Sequence, residues 1–255
     1  MNFFFGIKSS IFSCKLTVPK FQNFGRASKE LSLYEAFPKN NFWSISEVEC
    51  EENELYFFLD KSNIENNKIF FIAKKNEADY LQKNNQQLLD VSKFTNTSPS
   101  AFRANLKIFI PNKGFSSYQS EYPFDMTTRN GNILSPLNML LNKEADHNFV
   151  FFKNIYFKAE QNKSSLYFID LKKKKVLKKF EIKQNYLNQI TVENEYLKDD
   201  VYVFTEKCLG IPLYVSVKNS HISFEHTHPP HHYILSEDRY KTVAKIKNEI
   251  KDVIN

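Results

Sequence analysis

The sequence predicts a mainly β protein that ends in one amphipathic α-helix. Phe and Tyr are abundant, at 25 and 13 of 255 residues, and aromatic side chains favour strands and sheet cores. Short apolar runs separated by turn-forming residues recur most densely between residues 148 and 227. These runs predict an antiparallel β-sandwich or partly closed barrel in the C-terminal part of the chain.

The N-terminal region, residues 1–95, is predicted to be β-rich with one short helix, an α+β region. Residues 1–41 show no sustained period, so we expect irregular structure there. Strands are predicted at 42–48, 54–60 and 68–74, and a helix at 77–89. Residues 91–100 are rich in Ser, Thr, Asn and Pro and therefore predict a linker between this region and a second domain, residues 100–255.

The second domain is predicted to consist of strands and a closing helix. The strands are expected at 102–110, 148–158, 166–170, 175–182, 189–193, 201–205, 211–217 and 221–227. The lysine run 172–175 fits a solvated hairpin turn, and residues 111–132 fit a long loop. One apolar stripe, spaced by three and four residues, predicts the helix; it comprises Tyr240, Val243, Ile246, Ile250 and Val253.

The formal net charge of +6 does not by itself indicate a nucleic-acid partner. The basic residues are 31 Lys and only four Arg. Arg is the side chain favoured for bidentate phosphate and guanine contacts, whereas Lys is a hydrated point charge suited to any surface. Nucleic acid is therefore an unlikely partner, and single-stranded nucleic-acid binding through exposed Tyr, Phe and Lys is the third-ranked hypothesis.

The cysteines and the hydropathy pattern favour a soluble cytoplasmic protein. Cys14, Cys50 and Cys208 are odd in number and far apart, which fits a reduced compartment better than a disulfide framework. No apolar stretch reaches the length of a membrane span, and the N-terminus lacks the basic segment of a signal peptide.

Several common enzyme classes lack their motifs here. Only five glycines occur, and none are spaced as in G-x-G-x-x-G or a P-loop, whose backbones need glycine to approach phosphates. The G-x-S-x-G and H-E-x-x-H motifs are also missing from the sequence. Dinucleotide-dependent dehydrogenases, P-loop NTPases, ordinary α/β-hydrolases and H-E-x-x-H zinc proteases are accordingly disfavoured.

A histidine cluster is the first candidate site. Five of the six histidines lie within twelve residues, 221–232. His226 and His228 would share one face of a strand and supply half of a Zn or Fe site, with His231 or the distant His147 as a third ligand. Glu225 would lie on the opposite face. The alternative is a polar turn against which the C-terminal helix docks.

A segment rich in aromatic and polar side chains is the second candidate site. Aromatic rings stack on the apolar faces of a sugar or another small polar ligand, while polar groups orient it. The predicted ligand-binding residues of this surface are Arg103, Tyr118, Gln119, Glu121, Tyr122 and Arg129, together with Glu225 from the histidine segment. The alternative is an ordinary long loop held in place by its aromatic residues.

The leading functional hypothesis is a non-catalytic or accessory β-sandwich protein whose His-lined pocket binds a metal or a small polar, sugar-like ligand. The runner-up is a metal-dependent enzyme, with Zn or Fe held by the His226-x-His228 pair. The expected partner is a small polar ligand or another protein. The ligand, the metal and the oligomeric state are not specified by the residues.

Overall fold

The computed structural model describes residues 1–22, 26–27, 30–91, 103–226 and 237–254. The first ten strands are β1 Asn2–Phe3, β2 Ser13–Pro19, β3 Phe21–Gln22, β4 Arg26–Ala27, β5 Ser32–Lys39, β6 Phe42–Glu47, β7 Glu51–Glu52, β8 Tyr56–Leu59, β9 Ile69–Ala73 and β10 Ala104–Phe109. The other ten are β11 Phe115–Ser120, β12 Tyr122–Pro123, β13 Leu134–Pro136, β14 His147–Lys153, β15 Lys163–Asp170, β16 Lys175–Lys183, β17 Leu187–Thr191, β18 Val201–Glu206, β19 Ile211–Lys218 and β20 His221–His226. The helices are α1 Lys75–Lys83, α2 Phe124–Thr127 and α3 Arg239–Ile254, with a 3₁₀ turn at Asn194–Tyr196.

Four antiparallel sheets contain most of the strands. Sheet I has the order β6-β5-β9, and sheet II the order β11-β10-β2-β8-β7. Sheet III has the order β17-β14-β19-β20, and sheet IV the order β13-β18-β15-β16. Strands make up 47% of the chain and helices 15%, so the prediction of a mainly β protein with a C-terminal helix is confirmed.

The sheets are arranged like the four blades of a propeller, and they do not form one clear sandwich. The two central strands of sheet III, β14 and β19, are buried on both faces. Phe149 and Phe151 of β14 enter a first core shared with sheets I and II, whereas Val150 and Phe152 enter a second core shared with sheet IV. A strand buried on both faces reads as a continuous apolar run, as the sequence predicted for residues 148–158.

Helix α3 covers the outer face of sheet IV. Ile250 is buried in a small third cluster with Tyr167 and Phe204, and Ile246 packs against the same cluster. The predicted apolar stripe is therefore confirmed as core packing over the middle and end of the helix. Tyr240, at its start, is 61% exposed and takes no part in this core. Within the described residues, no helix is both long and apolar enough to cross a membrane.

Two segments predicted to be irregular contain strands. Within residues 1–41, β2 and β5 are central strands of sheets II and I, and residues 111–132 contain β11, β12 and α2. In β2 the buried side chains are Cys14, Leu16 and Val18, which alternate with more exposed polar residues, so the period-two pattern was present in the sequence but was missed. In β11 the inward side chains include Ser116 and Ser120, so no apolar alternation marks the strand.

The predicted division of the chain at residues 95–100 stays a prediction. Residues 92–102 lie outside the described part of the chain. Sheet II nevertheless combines β2 and β8, which precede this segment, with β10 and β11, which follow it. The first core likewise draws residues from both sides.

One lysine is wholly buried in the first core. Lys153 is 0% exposed, and its ammonium donates to the carbonyl oxygens of Asn66 and Lys68 at 3.3 and 3.2 Å. The ring of Phe5 lies 5.8 Å from the same nitrogen. Burial lowers the pKa of Lys153 to about 7, because the charged form loses its hydration.

Candidate functional site

The two candidate segments meet where the edge strands of sheets II and III lie side by side. The ring of Tyr118 on β11 lies 4.6 Å from the imidazole of His226 on β20, and 5.6 Å from the ring of Phe224. The N–H of Gly114 donates to the carbonyl of Ser220 at 3.0 Å. A side chain at Gly114 would lie 2.9 Å from that carbonyl oxygen, so glycine permits the close approach.

Strand alternation positions His226. It pairs with Leu213 on β19 and follows Ile222 and Phe224 on the face that turns toward the first core. This is the face that the sequence predicted for His226. The imidazole is half-buried against Tyr118. Its neighbour Glu225 is exposed on the opposite face, also as predicted.

Tyr118 keeps its phenolic proton. Burial raises its pKa, the charge of Arg103 lowers it and the charge of Glu121 raises it, and together these effects bring the pKa to about 12. A neutral phenol can both donate and accept a hydrogen bond near neutral pH.

The solvent face of β10 and β11 carries an ordered polar network. Nε of Arg103 lies 2.6 Å from Oε2 of Glu121, and Nη1 of Arg103 donates to Oε1 of Gln119 at 3.0 Å. Nδ2 of Asn2 donates to Oε1 of Glu121 at 2.8 Å. Three predicted ligand-binding residues, distant in sequence, are therefore linked in one network whose arginine remains 57% exposed.

An exposed aromatic ring, that of Phe115, lies on the same face at the start of β11. Phe115 is 63% exposed, and Nζ of Lys107 lies 4.0 Å from its ring centroid. Pairing of β10 with β11 places Ser117 opposite Lys107, and Gln119 opposite Asn105. We call this surface the β11 platform; it comprises Arg103, Asn105, Lys107, Phe115, Ser117, Gln119 and Glu121.

Four predicted ligand-binding residues lie outside the β11 platform: Tyr118 faces β20, Glu225 is exposed on β20, and the other two are Tyr122 and Arg129. Tyr122 is fully buried, and its hydroxyl donates to the carbonyl of Leu209 at 3.4 Å, so its ring belongs to the core. Burial raises its pKa. Arg129 is exposed beyond α2, and its nearest carboxylate oxygen, on Asp125, is 3.9 Å away.

The structure describes two of the four predicted metal ligands, His147 and His226. His147 pairs with Val217 and stacks on Phe149 at 6.2 Å, whereas His226 pairs with Leu213 on the same strand as Val217. Four residues along a strand correspond to about 13 Å, so sheet III does not bring these two imidazoles together. His228 and His231 lie outside the described residues. No group of three or more His, Cys, Asp or Glu side chains that could hold a metal ion occurs in the described part of the chain.

Sequence reasoning did not single out Phe115, Lys107 or Gly114 for any role. Phe115 resembles any other aromatic residue in the sequence, and only its exposure distinguishes it. Gly114 is one of five glycines, and its role depends on a neighbouring strand far along the chain. The chain matches no protein-family model, no curated protein and no solved structure.

Proposed function

We propose that this protein is a non-catalytic binding protein that takes a small polar, sugar-like ligand on the β11 platform. The observation that carries the proposal is a solvent-exposed aromatic ring, Phe115, on the same strand face as hydrogen-bonding groups that are already oriented. Sugars present an apolar ring face together with hydroxyls, and the ring of Phe115 with the neighbouring polar groups of Lys107 and Ser117 complements both. Gln119 lies four residues, about 13 Å, farther along the same strand face.

Preorganisation of the polar groups supports the same assignment. Arg103 and Glu121 hold each other in place, and Gln119 accepts one of the guanidinium N–H groups. A ligand hydroxyl can therefore bind donors and acceptors that lose little conformational freedom on binding. Tyr118 and His226 support β11 from behind by packing it against β20.

Binding of a metal through the histidine cluster is not part of this proposal. The carboxylate of Glu121 is engaged by Arg103 and Asn2. The Zn or Fe site at His226 and His228 stays a prediction from the sequence.

Titration of the ¹⁵N-labelled protein with glucose, galactose and mannose tests the proposal. At least one sugar is expected to shift the amide resonances of β10 and β11. Phe115→Ala is expected to weaken that binding about tenfold, which corresponds to about 1.4 kcal/mol. Met139→Ala is the matched control, because Met139 is an exposed apolar residue, 82% accessible, elsewhere on the surface.

Two outcomes would overturn the proposal. One is the absence of any shift in β10 and β11 with all three sugars, or an equal effect of the Phe115 and Met139 substitutions. The other is salt-dependent binding of an oligothymidylate to the same strands without any sugar binding, since Lys107 and Phe115 together would then serve as a base-stacking surface.

A further inference from the structure

A polar cleft opens at one end of sheet IV, separate from the β11 platform. It has a volume of about 360 Å³ and lies where β15 begins and where β16 and β18 end. Its walls include Ser164, Gln184, Glu206, Lys207 and Cys208. The cleft is therefore large enough for a small molecule and is lined mainly by hydrogen-bonding groups.

Gln184, one of the residues that line this cleft, has a buried amide oxygen without a hydrogen-bond partner in the described part of the chain. Among the buried side-chain nitrogen and oxygen atoms of the described residues, only its Oε1 has no hydrogen-bond partner. Its backbone is fixed, since the N–H of Gln184 donates to the carbonyl of Asn162 at 2.9 Å. A buried polar atom without a partner costs about 1–3 kcal/mol, so a hydrogen-bond donor that reaches this oxygen recovers that free energy.

Three charged residues line the cleft, and one of them, Lys163, pairs with Glu181 at 2.8 Å. The other two, Glu206 and Lys207, carry opposite charges. Within the described residues, neither the half-buried carboxylate of Glu206 nor the exposed ammonium of Lys207 forms an ion pair. The turn that carries them is held in place. The hydroxyl of Ser164 donates to the Glu206 carbonyl at 3.0 Å, and the N–H of Lys207 donates to Oδ1 of Asn132 at 2.9 Å.

We propose that this cleft binds a small zwitterion, a free α-amino acid, with its ammonium group on the acceptors Gln184 and Glu206 and its carboxylate facing Lys207. An ammonium group supplies three donors, which matches an unpaired carboxylate and an orphaned amide oxygen. A carboxylate suits the point charge of a lysine ammonium. A ligand with only one of these charges would leave the opposite charge of the cleft unpaired.

The test is a comparison of three probes by amide chemical shifts: glycine, methylammonium and acetate. Millimolar glycine is expected to shift the resonances of residues 162–165, 184 and 206–208, and to bind at least tenfold more tightly than either single-charge probe. Gln184→Leu and Lys207→Met should each weaken glycine binding about tenfold or more. Gln189→Leu and Lys198→Met are the controls, because Gln189 is an exposed glutamine outside the cleft and Lys198 also lies outside it.

Four results would overturn the inference. The first is that glycine leaves every cleft resonance unshifted, which would mean that water alone occupies the cleft. The second is that methylammonium or acetate binds as tightly as glycine, which would exclude the zwitterion. The third is that Gln184→Leu and Lys207→Met both bind glycine like the wild type. The fourth is that the control variants weaken glycine binding equally. Lys207→Met keeps the test valid if Gln184→Leu fails to fold, since Lys207 is exposed.

Discussion

Replacement of Lys153 by methionine tests whether the first core contains a lysine that loses its charge near neutral pH. The side chain is fully buried, its nitrogen contacts two backbone carbonyls, and burial lowers its pKa to about 7. Within the described residues, no carboxylate pairs with it. Methionine has a similar length and flexibility and carries no charge, so it removes the titration with little change in packing.

The sign of the effect follows from proton binding. In the unfolded chain Lys153 has its ordinary pKa of 10.5, so between about pH 7 and 10.5 the unfolded state binds more protons than the folded state. This residue's contribution to stability is therefore fully present above pH 10.5 and is lost as the pH falls to about 7. The gap between the two pKa values corresponds to about 5 kcal/mol.

Urea unfolding of wild type and Lys153→Met at several pH values measures the effect. Between about pH 7.5 and 9, the free energy of unfolding of the wild type should rise by about 2 kcal/mol relative to the variant. At any single pH, the difference in free energy of unfolding between wild type and Lys153→Met also includes the loss of two hydrogen bonds, at about 1 kcal/mol each. The decisive measurement is therefore how this difference changes with pH. Lys178→Met is the control, because Lys178 is exposed; its free energy of unfolding should change with pH as that of the wild type does. Parallel curves for wild type and Lys153→Met would refute a depressed pKa.

Two further substitutions test the packing of the fold. Gly210→Ala should lower the free energy of unfolding by about 1–3 kcal/mol, because a Cβ there would lie 2.4 Å from the Phe152 ring and 2.5 Å from a backbone oxygen; unchanged urea unfolding would contradict this contact. Ile250→Ala should cost about 2–5 kcal/mol in thermal unfolding, whereas Tyr240→Ala should cost less than about 0.5 kcal/mol. Equal losses for the two helix variants would show that α3 does not pack through Ile250.

The periodicity of apolar residues was sufficient to predict those strands and helices whose buried face is apolar. The strands from β15 to β20 were predicted within three residues of their observed bounds, and the closing helix was predicted from its stripe, because burial leaves a regular pattern of apolar residues. The strand predicted at 148–158 is shorter than predicted, since β14 ends at Lys153. The same reasoning missed β2, although Cys14, Leu16 and Val18 do alternate. It also missed β11, whose inward face carries serines that the fold satisfies with hydrogen bonds, such as that from Ser120 to the carbonyl of Phe5.

The candidate site was predicted residue by residue but not as an arrangement. Arg103, Gln119 and Glu121 were chosen for their chemistry, and their mutual contacts follow from the pairing of β10 with β11. Tyr122 was chosen on the same grounds and is buried in the core. A polar or aromatic side chain next to a strand end does not indicate which face of the sheet it will occupy.

The amino-acid sequence by itself determined the β class, the closing helix and the side of β20 on which His226 lies. These depend on backbone geometry, in which residues two apart share a strand face and residues three or four apart share a helix face. Only the tertiary structure decided that β11 lies beside β20, that Lys153 is enclosed, and that the sheets are arranged as blades. Such contacts join segments far apart in the chain, and they arise from the packing of whole sheets, which no short window of sequence records.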